Sequence, residues 1–212
     1  MNYNTVPIHS RIIVIGGGSA SGKTTIATKL AKSLVGRNVS AECISMDNFY
    51  RSLDETESGD TFDWDDISAL DIELLLKCIN KWKNGRGCWI PHHDFATYKS
   101  VHESRYVHPA EVMIIEGIHA LSSKLVSVSD LKIYVHCDHD EALARRITRD
   151  IRERQYSLEL VLQRYFKYVK PALKNVIEPS QKNADFIIVN NDSSSGCKSI
   201  DLIADAMAIH SK

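Results

Sequence analysis

The segment Gly17-Gly18-Ser19-Ala20-Ser21-Gly22-Lys23-Thr24 constrains this chain more than any other stretch. It follows the pattern G-x-x-x-x-G-K-T, and its flanks match. Arg11-Ile12-Ile13-Val14-Ile15 before it is a short apolar, β-branched run of the kind a buried parallel strand needs. After it, Ile26, Leu30 and Leu34 recur on one face of a helix running from Thr25 to Leu34. A strand, a glycine loop and a helix N-terminus in that order point several backbone N–H groups at one anion, and the helix dipole adds to the attraction. The segment therefore reads as a phosphate-binding loop, with Gly17 to Thr25 around a nucleotide, Lys23 on the β- and γ-phosphates and the Thr24 hydroxyl on Mg²⁺.

The remaining composition narrows the class. A chain of 212 residues suits one α/β domain with a small lid and can bury a full core. Hydrophobic content of 43% and charged content of 25% are ordinary for a soluble globular protein. A net charge of -1 argues against a nucleic-acid partner held by a basic surface. No apolar run approaches the ~20 residues of a membrane span, and Met1 to Ser10 lacks the charged start and apolar core of a signal peptide. The cysteines (Cys43, Cys78, Cys88, Cys137, Cys197) are odd in number and form no C-x-x-C pair. Neither a disulfide framework nor a zinc site is indicated, and a cytoplasmic, reducing environment is expected.

Further strands are expected at Ala41–Ser45, Val112–Ile115, Leu131–Val135 and Phe186–Val189, and a hairpin from Cys88–Ile90 and Tyr106–His108. Helical spacing runs from Ala69 to Trp82, with Gly85 closing it. It resumes from about Asp140 to Arg154, and again from Ser157 until Pro171 kinks or breaks it. The last helix spans Ile200 to Ile209. Strands alternating with helices give a three-layer α/β fold with a mainly parallel sheet covered on both faces.

Ligands of such sheets sit beyond the carboxyl ends of the strands. Asp47 lies just past the second strand and Glu116 at the end of the third, so both acids can face the phosphates. Phosphoryl transfer needs Mg²⁺ and a group that positions or deprotonates the acceptor hydroxyl, tasks that suit two carboxylates. Five arginines (Arg145, Arg146, Arg149, Arg152, Arg154) crowd one helix. Arg146 and Arg149 are assigned to a lid over the transferring phosphate; Arg145 and Arg152 are assigned to a solvated face. His92 and His93 are neighbours on a strand and point to opposite faces, which speaks against a shared metal. Tyr165, Phe166 and Tyr168 are expected to pack in the core or lid.

In seven segments the chain resembles the uridine–cytidine kinases of the phosphoribulokinase/uridine kinase group. They are GGSASGKTT at Gly17–Thr25, ISMDNFYR at Ile44–Arg51, FDWDDISALD at Phe62–Asp71, IPHHDF at Ile90–Phe95, VHPAEVMIIEGIHAL at Val107–Leu121, RRITRDIRER at Arg145–Arg154, and YVKPA with ADFII at Tyr168–Ile188. The resemblance implies ATP- or GTP-dependent phosphorylation of the 5′-hydroxyl of uridine or cytidine. It implies one kinase domain over residues 1–212, with an acceptor-side insertion at about 51–108 and a lid at about 140–170. It implies Asp47 as base, Thr24, Glu116 and Asp47 around Mg²⁺, and Lys23, Arg146 and Arg149 on the phosphates. Acceptor binding is implied for Asp47, Tyr50, Asp63, His93, Tyr98 and Arg146, with Asp63 on the ribose hydroxyls. It further implies a homo-oligomer, tetramer or dimer, inhibited by pyrimidine triphosphates. The chain departs from the group's pattern where the base is read: His93 stands for a Tyr, Tyr98 for a His, Ser100 for an Arg, Tyr156 for an Arg and Arg164 for a Gln. The alternatives are a kinase of the same group acting on nicotinamide riboside or another ribose-bearing alcohol, and a P-loop switch. The switch lacks its N-K-x-D, the nearest string being Asn80-Lys81-Trp82-Lys83.

Overall fold

Apolar residues on both faces of a strand force it into the middle of a molecule, and the first strand is the clearest case. In a computed structural model, which describes residues 9–54, 56–59, 61–191 and 197–209, β1 (Arg11–Gly17) is the central strand of a five-stranded sheet. Its neighbours are β5 (Val112–Glu116) and β6 (Leu131–His136); β2 (Ala41–Ser45) lies outside β5, and β7 (Phe186–Val189) outside β6. Every pairing in this sheet is parallel. Ile12 and Val14 point into one apolar core, with Trp82, Leu75 and Phe49. Ile13 and Ile15 point into the other, with α1 (Lys23–Val35) and α7 (Cys197–Ile209). That two-sided burial is the physical reason for the unbroken apolar runs of β1 and β5.

On the side of Trp82 the sheet is covered by α2 (Ile72–Lys83), whose N-terminus is capped by the Asp71 carboxylate accepting the Leu74 N–H at 3.0 Å. The chain then leaves the sheet for an antiparallel hairpin, β3 (Cys88–Asp94) and β4 (Lys99–Val107), whose register shifts between Ile90 and His92. Pro91 occupies that shift, as suits a residue with no N–H for the ladder. A short α3 (Ser123–Val126) follows β5, and the arginine-rich helix is α4 (His139–Arg154).

One departure from the expected elements is at Pro171. Helix α5 (Leu158–Arg164) does not break there. It continues as π-helix over Tyr165–Val169, a single α-turn α6 (Lys170–Ala172), and π-helix again over Leu173–Ile177. The Pro171 nitrogen cannot donate to a carbonyl one turn back, and widening the turn on either side accommodates the ring without ending the helix. Met1–Ile8, on which the leader reading bears, lie outside the described residues. Among the described residues no helix is long and apolar enough to cross a membrane.

Gly17 ends β1 at φ +143°, and a Cβ there would approach the Val135 carbonyl oxygen to 2.4 Å. Gly17→Ala is expected to lower unfolding stability by about 1–3 kcal/mol from backbone strain alone, read as a reduced urea midpoint. An unchanged midpoint would show that the end of β1 tolerates a side chain.

Candidate active site

The carboxyl ends of β1, β2 and β5 come level because of register. Ile15 pairs with Glu116, and Glu116 pairs with Ser45 on its other side. The phosphate loop, Glu116 and the 3₁₀ turn Met46–Phe49 that carries Asp47 therefore open onto one cavity of about 500 Å³. Ser45 caps that turn, its Oγ accepting the Asp47 N–H at 3.3 Å. Thr24 Oγ1 donates to Glu116 Oε1 at 3.1 Å, while Lys23 Nζ donates to the Gly18 carbonyl at 2.7 Å. Asn190, just past β7, supports the loop from below through Nδ2 to the Ser21 carbonyl at 2.8 Å.

Burial sets the electrostatics. Lys23 is 7% exposed, and burial lowers its ammonium pKa, an effect opposed by Glu116 and Asp47. Burial raises the Glu116 carboxyl, and the Lys23 charge opposes it. Each charge partly offsets the cost of burying the other. A hydroxyl and a carboxylate at 3.1 Å are hard oxygen donors of the type Mg²⁺ takes. Among the described residues no cluster of three or more His, Cys, Asp or Glu is placed to cage a metal by itself, so water and phosphate oxygens would complete such a shell.

Helix α4 forms the roof. Asp150, 1% exposed, sits among three guanidiniums: Arg146 at 3.4 Å, Arg149 at 2.8 Å and Arg154 at 3.7 Å. Arg146 also donates to Ser19 Oγ in the phosphate loop at 2.6 Å. One buried carboxylate therefore aims several cations into the cavity, and its spacing of four residues from Arg146 and Arg154 is visible in the sequence. Arg145 is not on a solvated face. It lines the cavity and donates to the Asn190 and Asn191 carbonyls, each at 2.8 Å, tying α4 to the end of β7.

The acceptor side is aromatic. Tyr50 is buried, lines the cavity and donates its hydroxyl to the Trp64 carbonyl at 2.9 Å. Trp64 stacks on Tyr98 with ring centres 5.4 Å apart. Two expected contacts are placed differently. Asp63 does not border the cavity: its carboxylate accepts the Asp65 N–H at 3.0 Å, the short-range turn that an Asx side chain favours. Asp65 lines the cavity in its stead, its carbonyl held by His119 Nε2 at 2.8 Å and its carboxyl pKa raised by burial against the pull of Arg146. His93 likewise does not border the cavity. It lies behind the aromatic layer, 2% exposed, with Tyr50, Trp64 and Phe95 around its ring at 4.9 to 5.6 Å. Neither of its ring nitrogens makes a hydrogen bond of acceptable geometry. His92, its neighbour, faces solvent, as strand alternation requires. Sequence reasoning missed Asp65 and Arg154 as lining residues; the turn after Asp63 and the end of α4 bring them in.

Comparison with known proteins identifies the family. The model of the phosphoribulokinase / uridine kinase family matches residues 12–194. A uridine kinase of Macrococcus caseolyticus is 37% identical over 187 residues, covering 87% of this chain and 90% of that one. A uridine kinase of Saccharomyces cerevisiae is 41% identical over 184 residues, covering 84% of this chain but 36% of its own length. The chain spans about a third of the length of this and other eukaryotic relatives it matches. In fold it is similar to phosphoribulokinase from Rhodobacter spheroides, with a TM-score of 0.61 and 17% identity over 85% of this chain and 70% of that one.

Burial holds the His93 pKa below the usual value. The unfolded chain, with its His near ~6.5, then binds more protons than the folded one below that pH, so stability falls as pH drops from about 6.5 to 5. His93→Phe is expected to flatten this decline and to raise stability at low pH, because the two unsatisfied nitrogens are removed. His119, also lowered by burial, keeps part of the slope. Denaturation midpoints at several pH values test this. An unchanged slope would mean that His93 is accessible to protons when folded.

Proposed function

The chain belongs to the phosphoribulokinase/uridine kinase family, and we propose that it transfers the γ-phosphoryl group of ATP or GTP to the 5′-hydroxyl of a ribonucleoside, uridine or cytidine. The observation that carries this reading is the position of Asp47. It lines the same cavity as Lys23, Thr24 and Glu116 on one side and the rings of Tyr50 and Trp64 on the other. A carboxylate at that junction meets a hydroxyl presented by the aromatic side just where a phosphate on the loop ends.

In the proposed reaction Asp47 takes the proton of the acceptor hydroxyl, whose oxygen forms a bond to the γ-phosphorus as the bond to the β–γ bridging oxygen breaks. The nucleoside leaves as its monophosphate, the donor as a diphosphate, and the proton stays on Asp47 until solvent takes it. Lys23 and the Asp150-anchored Arg146 and Arg149 would stabilise the charge that grows on the transferring oxygens, and their anchoring would limit reorganisation during the step. Mg²⁺ would be held by Thr24 and Glu116, with Asp47 beside them, and would neutralise phosphate charge.

The same reading assigns residues of about 51–108 to acceptor binding and of about 140–170 to the lid. It makes the protein a cytoplasmic homo-oligomer of two or four copies, acting on a small molecule without nucleic-acid or membrane partners. Its chemistry rests on charges already converged on one cavity.

Lys23→Ala is expected to abolish nearly all transfer while the circular dichroism spectrum stays that of the folded parent, since no other cation shares its loop. Turnover within a few-fold of the parent would exclude the phosphate-loop role. Asp47→Asn is expected to lower kcat by about 10²–10⁴ with a smaller change in nucleoside affinity, because an amide still hydrogen-bonds a hydroxyl. Steady-state kinetics with uridine separates the two effects, and a rise in KM at unchanged kcat would make Asp47 a binding residue instead.

A further inference from the structure

We propose that a second cavity, of about 650 Å³ between α2 and the β3–β4 hairpin, is a binding site for a phosphate-bearing small molecule. It shares no lining residue with the cavity at the phosphate loop, and the proposal does not depend on the kinase reading. Lys77, Lys81 and Arg86 line it with His102, and Trp89 adds a half-exposed aromatic ring. A free polyphosphate and a nucleotide share the chemistry these groups recognise.

Local sequence assembles the cations. Lys77 and Lys81 stand four residues apart on one face of α2, where like charges repel. The chain turns at Asn84 and Gly85, and the Arg86 N–H donates to the Lys81 carbonyl at 2.9 Å. A third cation is thereby folded back against the same end of the helix. On the opposite wall the hairpin register jumps. Ile90 faces Arg105 and His92 faces Val101, so Pro91 alone is opposed by the three residues 102 to 104. Proline has no N–H for the ladder, and the surplus residues bulge. Glu103 takes a left-handed conformation there, with φ +51°. The bulge brings His102 and Glu103 to the cavity that α2 lines from the other side.

The protein itself does not neutralise this charge. Among the described residues no side-chain hydrogen bond or ion pair engages Lys77, Lys81, Arg86 or His102. Their neighbours on the same elements are paired: Lys83 with Asp130 at 3.8 Å, and Arg105 with Glu42 at 2.7 Å. The C-terminal end of a helix attracts cations, which accounts for Lys81 in the last turn of α2. It does not account for Lys77, a turn earlier, or for Arg86, beyond the helix. Glu103, the one carboxylate among the described lining residues, makes no ion pair either, so positive charge is in excess. Three cations around a concave space suit a phosphate group, whose oxygens accept charge-assisted hydrogen bonds from several donors at once. The volume lies in the range of small-molecule sites. A neutral or cationic ligand would leave the repulsion between Lys77 and Lys81 in place.

The test follows the indole N–H resonance of Trp89, assigned with Trp89→Phe, as inorganic pyrophosphate or adenosine 5′-diphosphate is added at constant ionic strength. It uses the Lys23→Ala chain, so that the phosphate loop competes less for the probe. The same chain also carries either Lys77→Ala with Lys81→Ala, or Arg86→Gln, which keeps the test available if one of them does not fold. Pyrophosphate is expected to move the resonance saturably, and each set of substitutions to weaken that binding by at least about tenfold, the loss of one charge-assisted hydrogen bond. Tighter binding of the diphosphate nucleotide than of pyrophosphate supports the site with a nucleotide as its ligand, and equal binding supports it with a free polyphosphate. A resonance that stays in place or moves equally with sodium chloride, or an affinity that neither set of substitutions changes, overturns the site. With Lys23 intact, Lys77→Ala with Lys81→Ala is expected to leave kcat/KM for uridine unchanged, and a loss of transfer there would overturn the separation of the two cavities. Absence of transfer in the parent, with the resonance still responding, overturns the kinase reading alone and supports the separate site.

Discussion

The register of β1 between β5 and β6 is the constraint on which the rest depends. Ile15 opposite Glu116, and Glu116 opposite Ser45, bring three strand ends to one line, so the loop after β1, the carboxylate ending β5 and the turn after β2 face a common space. Side chains alternate along a strand, and a slip of one residue would exchange the two apolar sets of β1 and turn Glu116 away. Both faces of β1 are fully buried, which makes such a slip expensive. The position of the catalytic candidates is therefore secured by hydrophobic packing several residues away from them.

Around that edge the protein gathers charge it cannot leave unpaired. Lys23, Glu116, Asp65, Arg146 and Asp150 are each less than a tenth exposed. Buried ion pairs contribute little net stability, because desolvation offsets attraction, yet each loss of a partner leaves a costly orphan. The arrangement divides the work. Acids surround Lys23 at the phosphate end, while Asp150 gathers Arg146, Arg149 and Arg154 on the roof. What such networks provide here is orientation: side chains that would otherwise be flexible are held pointing at one another and into the cavity. The aromatic side is built of rings instead, stacking Trp64 on Tyr98 and burying His93 among Tyr50, Trp64 and Phe95.

Much of the fold was legible in the chain itself. The strands β1, β2, β5 and β6 and the helices α1, α2 and α4 follow from apolar runs and helical spacing, since these are local signals and the core only reinforces them. Asp47 and Glu116 were legible for a related reason: a carboxylate just after a buried strand has one edge of a parallel sheet to occupy. Pro171 was not, because the cost of a proline in a helix depends on whether neighbouring turns can widen, and they do so over Tyr165–Val169 and Leu173–Ile177.

The acceptor wall marks the boundary between the two kinds of information. Phe62 to Asp66 contains three aspartates within four residues, and nothing in their order says which faces the cavity. The Asp63 carboxylate turns back to the Asp65 N–H, and His119, more than fifty residues away, holds the Asp65 carbonyl. His93 lies behind the rings for a similar reason, since the hairpin packs that strand face inward against the turn carrying Tyr50. Arg164 and Tyr98 stand 66 positions apart and meet only because α5 folds over the hairpin turn. The sequence by itself determined the phosphate loop, the sheet and the acids at its edge, because each is written in residues adjacent along the chain. The tertiary structure alone decided which polar side chains line the acceptor side, because competing hydrogen bonds between distant segments set where each of them points.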